Sequence, residues 1–250
     1  MMSGLFSWIA NSHRLLSRGL AVALVVSISG CASLPAGHSP DDRDPWERYN
    51  RAVYEFNDKV DKAIIKPVAE AYRDYVPDLF QFLIRNFFGN LRDIATSVHH
   101  LAQGKPAEAG QSAARVLFNS TIGFLGLSDP ATEMGFAKTS EDFGQTFGVW
   151  GAKPGPYFVI PLLGPSTVRD TVGLGFDLSL DPKDAVFSAG TDRTVATAVV
   201  AIDGRKELLQ AEGTLDALAF DRYSSLRDTY LARRRSQVYD GDPPPLPEKN

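Results

Sequence analysis

Apolar residues recur at three- and four-residue spacing through most of the chain, a pattern that predicts helices. The first run places Trp46, Tyr49, Val53, Phe56 and Val60 on one face, with Glu47, Arg51, Asp58 and Lys59 on the other. Asp44-Pro45 precedes it as N-cap and first helical residue, giving an amphipathic helix with a defined start. Pro67 and Pro77 restart the chain after Lys66 and Val76. From Asp78 to Leu101 the residues Phe80, Ile84, Phe87, Leu91, Ile94, Val98 and Leu101 make one seam, widened by Leu79, Phe82, Leu83 and Phe88. A helix apolar over more than half its circumference is central to a core or faces lipid. Arg85, Arg92 and Asp93 within it argue against a bilayer span.

Gly104-Lys105-Pro106 ends that helix, and 107–122 reads as the next, with Ala113, Val116, Leu117 and Phe118 on its face. Gly123, Gly126, Pro130 and Gly135 mark a loop over 123–138. The run EDFGQTFGVWG (141–151) is a short helix at most. GPYFVIPLLGP (155–165) is an apolar segment fenced by Gly-Pro pairs, and Pro161 excludes a central strand. It fits a rigid apolar hairpin, a re-entrant segment or a buried extended connection. Ser166 caps a helix from Thr167 to about Leu180, and Asp192 opens another through Leu209. A last helix from about Leu215 to Val238 carries Leu218, Tyr223, Leu226 and Tyr230 inward and ends in Arg233-Arg234-Arg235. Those cations suit a helix C-terminus, with lipid-headgroup contact as the alternative. No strand alternation stands out, so the predicted class is all-α.

The N-terminus has a different character. Arg14 and Arg18 precede a short apolar stretch, Gly19 to Ser29, followed by Gly30 and the only cysteine of the 250 residues, Cys31. A cationic start, a short apolar middle and small residues at the cut form an export signal. The stretch is shorter than the roughly 20 apolar residues a membrane span requires. Cysteine after the small residues resembles a bacterial lipoprotein signal, in which the thiol is acylated. Ala32 and Ser33 follow with no Asp, which under that resemblance implies the outer membrane. The expected organisation is a signal over 1–30, a tether over 31–43, a helical domain over 44–238 and a disordered Pro-rich tail over 239–250. Removing 1–30 takes two Arg and no acid, moving the net charge from −4 to −6. An acidic chain argues against nucleic-acid binding, and one cysteine excludes an internal disulfide.

Reactive chemistry is sparse. His99 and His100 are adjacent, so on a helix they point about 100° apart and do not form an i,i+4 metal pair. No G-x-S-x-G elbow, P-loop, dinucleotide fingerprint or calcium loop occurs, and Asp142-Phe143-Gly144 has no kinase motifs around it. No catalytic residue, metal site or cofactor is expected. Many greasy helices, an anchor and no reactive constellation suit physical handling of lipid better than its cleavage.

The blocks DPWERYNRAVYEFNDKVD (44–61), IKPVAEAYRDYVP (65–77), RNFFGNL (85–91), RVLFNSTIGFLGLSDPA (115–131), EDFGQTFGVWG (141–151) and GPYFVIPLLGPSTVRD (155–170) together resemble the MlaA/VacJ lipoproteins. The resemblance covers about 44–235; Arg48 departs from its first block, and the C-terminal third matches loosely. It implies a ring of amphipathic helices with a central channel, lying in the periplasmic leaflet of a Gram-negative outer membrane. It implies removal of misplaced phospholipids from the outer leaflet and their transfer to a soluble periplasmic carrier, MlaC. A trimeric porin is the implied membrane partner. Within that frame the expected channel-lining or membrane-facing residues are Phe80, Ile84, Phe87, Phe88, Leu91, Tyr157, Phe158, Ile160 and Leu162, with Cys31 as the lipidation site. The rivals are a porin-scaffolding lipoprotein without transport, and a phospholipase that would need His99 or His100 as its base.

Overall fold

The computed structural model describes residues 41–218 and 221–245, so the signal, Cys31 and most of the tether lie outside the described residues. Helix α1 (Glu47–Val60) runs through a wide π-helical turn (Asp61–Ile65) into α2 (Lys66–Tyr75) without a break. The wide turn falls directly before Pro67, which has no amide to donate and whose ring crowds the carbonyl four residues back. After Val76-Pro77 comes α3 (Asp78–Ala102), and α4 (Pro106–Thr121) returns alongside it. Gln81 fastens the α2–α3 corner, its amide donating to the carbonyls of Arg73 at 3.2 Å and Val76 at 2.6 Å.

The remainder is α5 (Pro130–Glu133), α6 (Phe143–Val149), a hairpin of β1 (Tyr157–Ile160) and β2 (Gly164–Thr167), α7 (Val168–Ser179), α8 (Lys183–Val186), α9 (Thr191–Leu218) and α10 (Arg222–Val238). The hairpin is antiparallel, with Tyr157 opposite Thr167 and Ile160 opposite Gly164, and it turns at Pro161–Leu163. Pro161 therefore sits in the turn, where its missing amide matters least. Several element boundaries differ from the sequence expectation. Thr167, one residue after Ser166, caps α7 by accepting from the Asp170 amide at 3.2 Å. Asp44 is no helix cap: it accepts from Asn50 Nδ2 at 2.6 Å and from the Tyr223 hydroxyl. Helix α9 continues past Leu209 to Leu218, and α10 begins at Arg222.

The folded body also starts earlier than Asp44. The Arg43 carbonyl accepts from the Tyr157 amide at 2.8 Å, and Asp41 pairs with Arg227 at 3.1 Å. At the other end, Asp240 reaches Lys105 at 2.6 Å and Arg235 donates to the Pro244 carbonyl. The near part of the supposed tail thus packs on the body.

Two asparagines on α1 hold the hairpin. Asn50 accepts from the Val159 amide at 2.8 Å and donates to the Tyr157 carbonyl at 3.2 Å. Asn57 does the same one strand-length on, accepting from Leu162 N at 2.7 Å and donating to Ile160 O at 3.0 Å. Seven residues are two helical turns, so both amides lie on one face and satisfy the open edge of β1. Between α1, β1 and α10 lies a small aromatic core of Val53, Tyr157, Val159 and Tyr223, flanked by Tyr49, Tyr54, Tyr230 and Leu231.

Elsewhere the usual distribution of polarity is reversed. In α3 the buried residues are Gln81, Asn86, Asn90, Asp93, Thr96, His99 and His100, while Leu79, Phe80, Phe82, Ile94, Val98 and Leu101 are exposed. In α4, Ser112, Arg115 and Asn119 face inward and Leu117 outward. The apolar seam of 78–101 is thus exposed or half-buried along its length rather than enclosed, with Phe80 and Leu101 exposed and Leu91, Ile94 and Val98 lining a cleft. Leu226, expected inward, is likewise exposed. Arg115 is the hub of that polar interior. Arg115, 1% exposed, donates to Asp93 at 3.0 Å, to Asp129 at 2.8 and 2.9 Å, to Thr132 at 3.0 Å and to the Phe136 carbonyl at 2.8 Å.

The loop after α4 carries the same reversal to an extreme. Phe124 is 77% and Leu125 75% exposed, both with left-handed backbone (φ 52° and 61°). Gly123 and Gly126 seat the loop: a Cβ on Gly123 would lie 2.4 Å from the Asn119 carbonyl, and one on Gly126 2.6 Å from the Asn90 amide nitrogen. Among the described residues no single helix is long and apolar enough to cross a membrane; Val168–Val186 and Thr191–Leu209 form an apolar pair bent by 111°.

Candidate functional site

A cleft of about 530 Å³ opens between α3, the segment entering α6, the end of α7 and α9. Phe88, Leu91, Ala95 and Val98 form its α3 wall, Leu174 and Leu180 the α7 wall, and Val200 the α9 wall. Phe88 is set by aromatic packing: its ring lies 5.4 Å from that of Phe87 and stacks on Phe187 at 5.9 Å. Arg92 and the Asp181–Lys183 pair put charge on the walls of the cleft, and at the α6 side Ser140, Asp142 and Asp177 belong both to this cleft and to a second compartment of about 360 Å³. Leu174 completes the shared wall. The second compartment is polar by comparison, bounded by Gln145, Ser166, Asp170, Tyr230, Arg233, Arg234 and Gln237.

Arg234 organises this end. It binds Asp142 at 2.6 and 2.9 Å and Asp170 at 3.0 Å through two nitrogens, tying α10 to α6 and α7. Burial pushes the Asp142 and Asp170 carboxyls up, and the Arg234 guanidinium more than reverses it, leaving both below the usual carboxylate range. Asp142 also caps α6, accepting from the Gln145 amide at 2.8 Å. Asp170 takes the Tyr230 hydroxyl at 2.8 Å.

The helices behind this clamp touch backbone to backbone. A Cβ on Gly173 of α7 would stand 2.4 Å from the Gly144 nitrogen of α6, and one on Gly144 would stand 2.5 Å from Arg234 Nη2. Gly173→Ala should therefore push α6 away from α7 and lower the melting temperature of the purified protein, at a cost of about 1–3 kcal/mol. Gly175→Ala, two residues on with nothing within 4 Å of its Cβ, should leave it unchanged or slightly raised. Equal melting of the two variants would refute the close crossing.

One arrangement has the outline of a nucleophile, base and orienting acid. His99 Nδ1 lies 3.0 Å from Thr146 Oγ1, and His99 Nε2 lies 3.5 Å from Asp177. Thr146 is fully buried and its hydroxyl donates to the Asp142 carbonyl at 3.1 Å, so it faces no space a substrate could enter. His100 is buried against Thr139 at 3.1 Å, and burial pushes its imidazole pKa down.

The expected lipid-facing residues are distributed unevenly. Phe88 and Leu91 line the cleft, Phe80 is exposed on the outer face, and Ile84 and Phe87 are half-buried. Tyr157 is a correction: it is fully buried in the aromatic core, because its strand is clamped under α1 and its ring packs on Tyr223 and Tyr230. Phe158 is half-buried beside Trp46 at 6.2 Å, Ile160 is half-buried, and Leu162 projects at the hairpin turn. None of these four reaches the cleft; Leu163 and Pro165 of the same hairpin line the polar compartment instead. Sequence reasoning missed Leu174, Asp177, Leu180 and the Asp142–Asp170–Arg234 clamp. Local signals touched only two of the clamp residues: Asp142 in the D-x-x-Q spacing of a helix cap and Asp170 in the T-x-x-D spacing from Thr167.

Fold and site together define a helical protein with large apolar side chains exposed on α3 and α4, a polar interface between those helices and an amphipathic cleft. Residues 42–237 match the family model for MlaA lipoprotein, and the chain belongs to that family. It is 33% identical to "Intermembrane phospholipid transport system lipoprotein MlaA" of Shigella flexneri, over 95% of this chain and 93% of that one. The Escherichia coli (strain K12) protein of the same description is 32% identical over the same shares. A chain solved for work on the "Structural basis for maintenance of bacterial outer membrane lipid asymmetry" superposes with a TM-score of 0.69 at 32% identity, covering 78% of this chain and 98% of that chain.

Proposed function

We propose that this protein removes misplaced phospholipids from the outer leaflet of the outer membrane and delivers them to a soluble periplasmic carrier of the MlaC type. The observation that carries this reading is a largely apolar cleft that adjoins a polar, arginine-bearing compartment across Ser140, Asp142, Leu174 and Asp177, in a body with large apolar side chains exposed on α3 and α4. A phospholipid crossing a membrane edge must keep its headgroup wet and its acyl chains dry. Each buried methylene is worth about 0.8 kcal/mol, so exposing two chains to water is prohibitive. A passage with one greasy wall and one polar wall lowers that barrier with no bond made or broken. Cys31 is the proposed acylation site, α3 part of the membrane-embedded wall, and the helices a ring around the passage. The apolar outer faces of α3 and α4 suit lipid and a trimeric porin. The family relationship supports the lipid and the compartment, and the partners follow from the resemblance.

The test is surface-exposed phospholipid on intact cells lacking the gene, read with an outer-leaflet acyltransferase or phospholipase. Exposure should rise on deletion and fall again with the wild type, but not with Cys31→Ser or with Leu91→Glu in the cleft. No rise on deletion would overturn the reading and bring the porin-scaffold alternative forward.

A further inference from the structure

The three consecutive arginines near the end of α10 point about 100° apart, and the structure gives them three different tasks. Arg234 spends all five of its N–H donors on Asp142, Asp170 and Gln237. Arg235 donates to the Pro244 carbonyl. Arg233 is exposed, lines the polar compartment, and has no carboxylate at ion-pair distance among the described residues. Of the three carboxylates that line the compartment, Asp142 and Asp170 are held by Arg234, Asp170 by Arg169 at 2.7 Å as well, and Asp177 accepts from the Phe143 amide at 3.1 Å and lies 3.5 Å from His99.

We infer that Arg233 is the phosphate-contacting residue of a two-part phospholipid site, with the headgroup in the polar compartment and the acyl chains in the adjoining apolar cleft. This rests on the transport reading and deepens it by assigning a specific cation to the cargo. The two spaces adjoin across Ser140, Asp142, Leu174 and Asp177, so a lipid reaching past these side chains would place its two ends in the two spaces. A guanidinium presents a planar fork that matches two phosphate oxygens, and of the arginines lining the polar compartment Arg233 is the one whose fork is not already engaged by carboxylates. Arg234 cannot substitute, because accepting a phosphate would break the clamp that joins α6, α7 and α10.

The experiment uses the purified full chain in nanodiscs of phosphatidylethanolamine and phosphatidylglycerol. It compares labelling by a photoactivatable phosphatidylethanolamine with labelling by a diacylglycerol carrying the same photoreactive chain. Arg233→Gln should lower labelling by the phospholipid roughly tenfold, the worth of one charge-assisted hydrogen bond, and leave diacylglycerol labelling as it was. Arg233→Lys should restore part of the loss. Leu91→Glu should lower labelling by both probes. Undiminished phospholipid labelling of Arg233→Gln beside a fall in Leu91→Glu would overturn this inference alone. Labelling insensitive to Leu91→Glu as well would overturn the transport reading together with it.

Discussion

Arg115→Ala should unfold the helical body or bring it to the edge of unfolding. The side chain is almost completely enclosed and all its donors are used, joining α4 to Asp93 of α3 and to Asp129, Thr132 and Phe136 around α5. Removing one partner of such a network leaves buried carboxylates uncompensated, at about 3–5 kcal/mol, against a total stability that is usually about 5–15 kcal/mol. Arg115→Lys should recover little, because one ammonium cannot reach carboxylates and carbonyl on three sides. Thermal melting of the purified protein in detergent checks both; a melting temperature within a few degrees of wild type would refute the role. The same network sets an acid limit. Burial raises the Asp129 carboxyl, but hydrogen bonds from Arg115, Thr132 and Asn119 bring it down to about 2, below its ordinary 3.8. Its stabilising contribution is therefore complete above about pH 4 and lost as pH falls towards 2. Asp93 is shifted the other way, upward, by its burial, so its protonation does not destabilise the fold; within this network the acid limb comes from Asp129, alongside the Arg234-held Asp142 and Asp170 and the Arg51-held Asp221.

The second large effect concerns attachment to lipid. Phe124 and Leu125 stand out from the body on a left-handed backbone that Phe and Leu adopt at a cost. Inserting both side chains into an apolar phase is worth about 1.5–3 kcal/mol each. Replacing both with Asp should weaken binding of the unacylated chain (Cys31→Ser) to phosphatidylethanolamine–phosphatidylglycerol vesicles at least a hundredfold, read by flotation. Asp tolerates left-handed backbone better than Phe or Leu, so the variant should melt no lower than its parent. That pairing separates lost insertion from lost folding. Flotation unchanged by the double substitution would show that this loop does not enter lipid.

Helix positions were largely legible in the sequence, because three- and four-residue periodicity and Pro or Gly at the ends are local signals. Which way each helix faces was not. Periodicity locates an apolar stripe and a polar stripe; it does not say which is inside. For α3 the polar stripe, Asn86, Asn90, Asp93, Thr96 and His100, is inside, a direction set by partners such as Arg115 and Ser120 on α4. The hairpin was foreseeable from its Gly-Pro fences, yet Tyr157 looked lipid-facing because its α1 clamp, Asn50, is 107 residues away. The cleft depended on long reach too: Arg234 meets Asp142 across 92 positions, and nothing in either neighbourhood announces the other.

The reversed polarity also has a kinetic meaning. In water, hydrophobic collapse would draw the outer faces of α3 and α4 together and expel the Asp93–Arg115–Asp129 network, which pays its desolvation only when every member is in place. The native arrangement and the first aqueous collapse are thus competing structures of one chain. Whatever covers those outer faces decides between them. Refolding from denaturant should accordingly be governed by the presence of lipid or detergent.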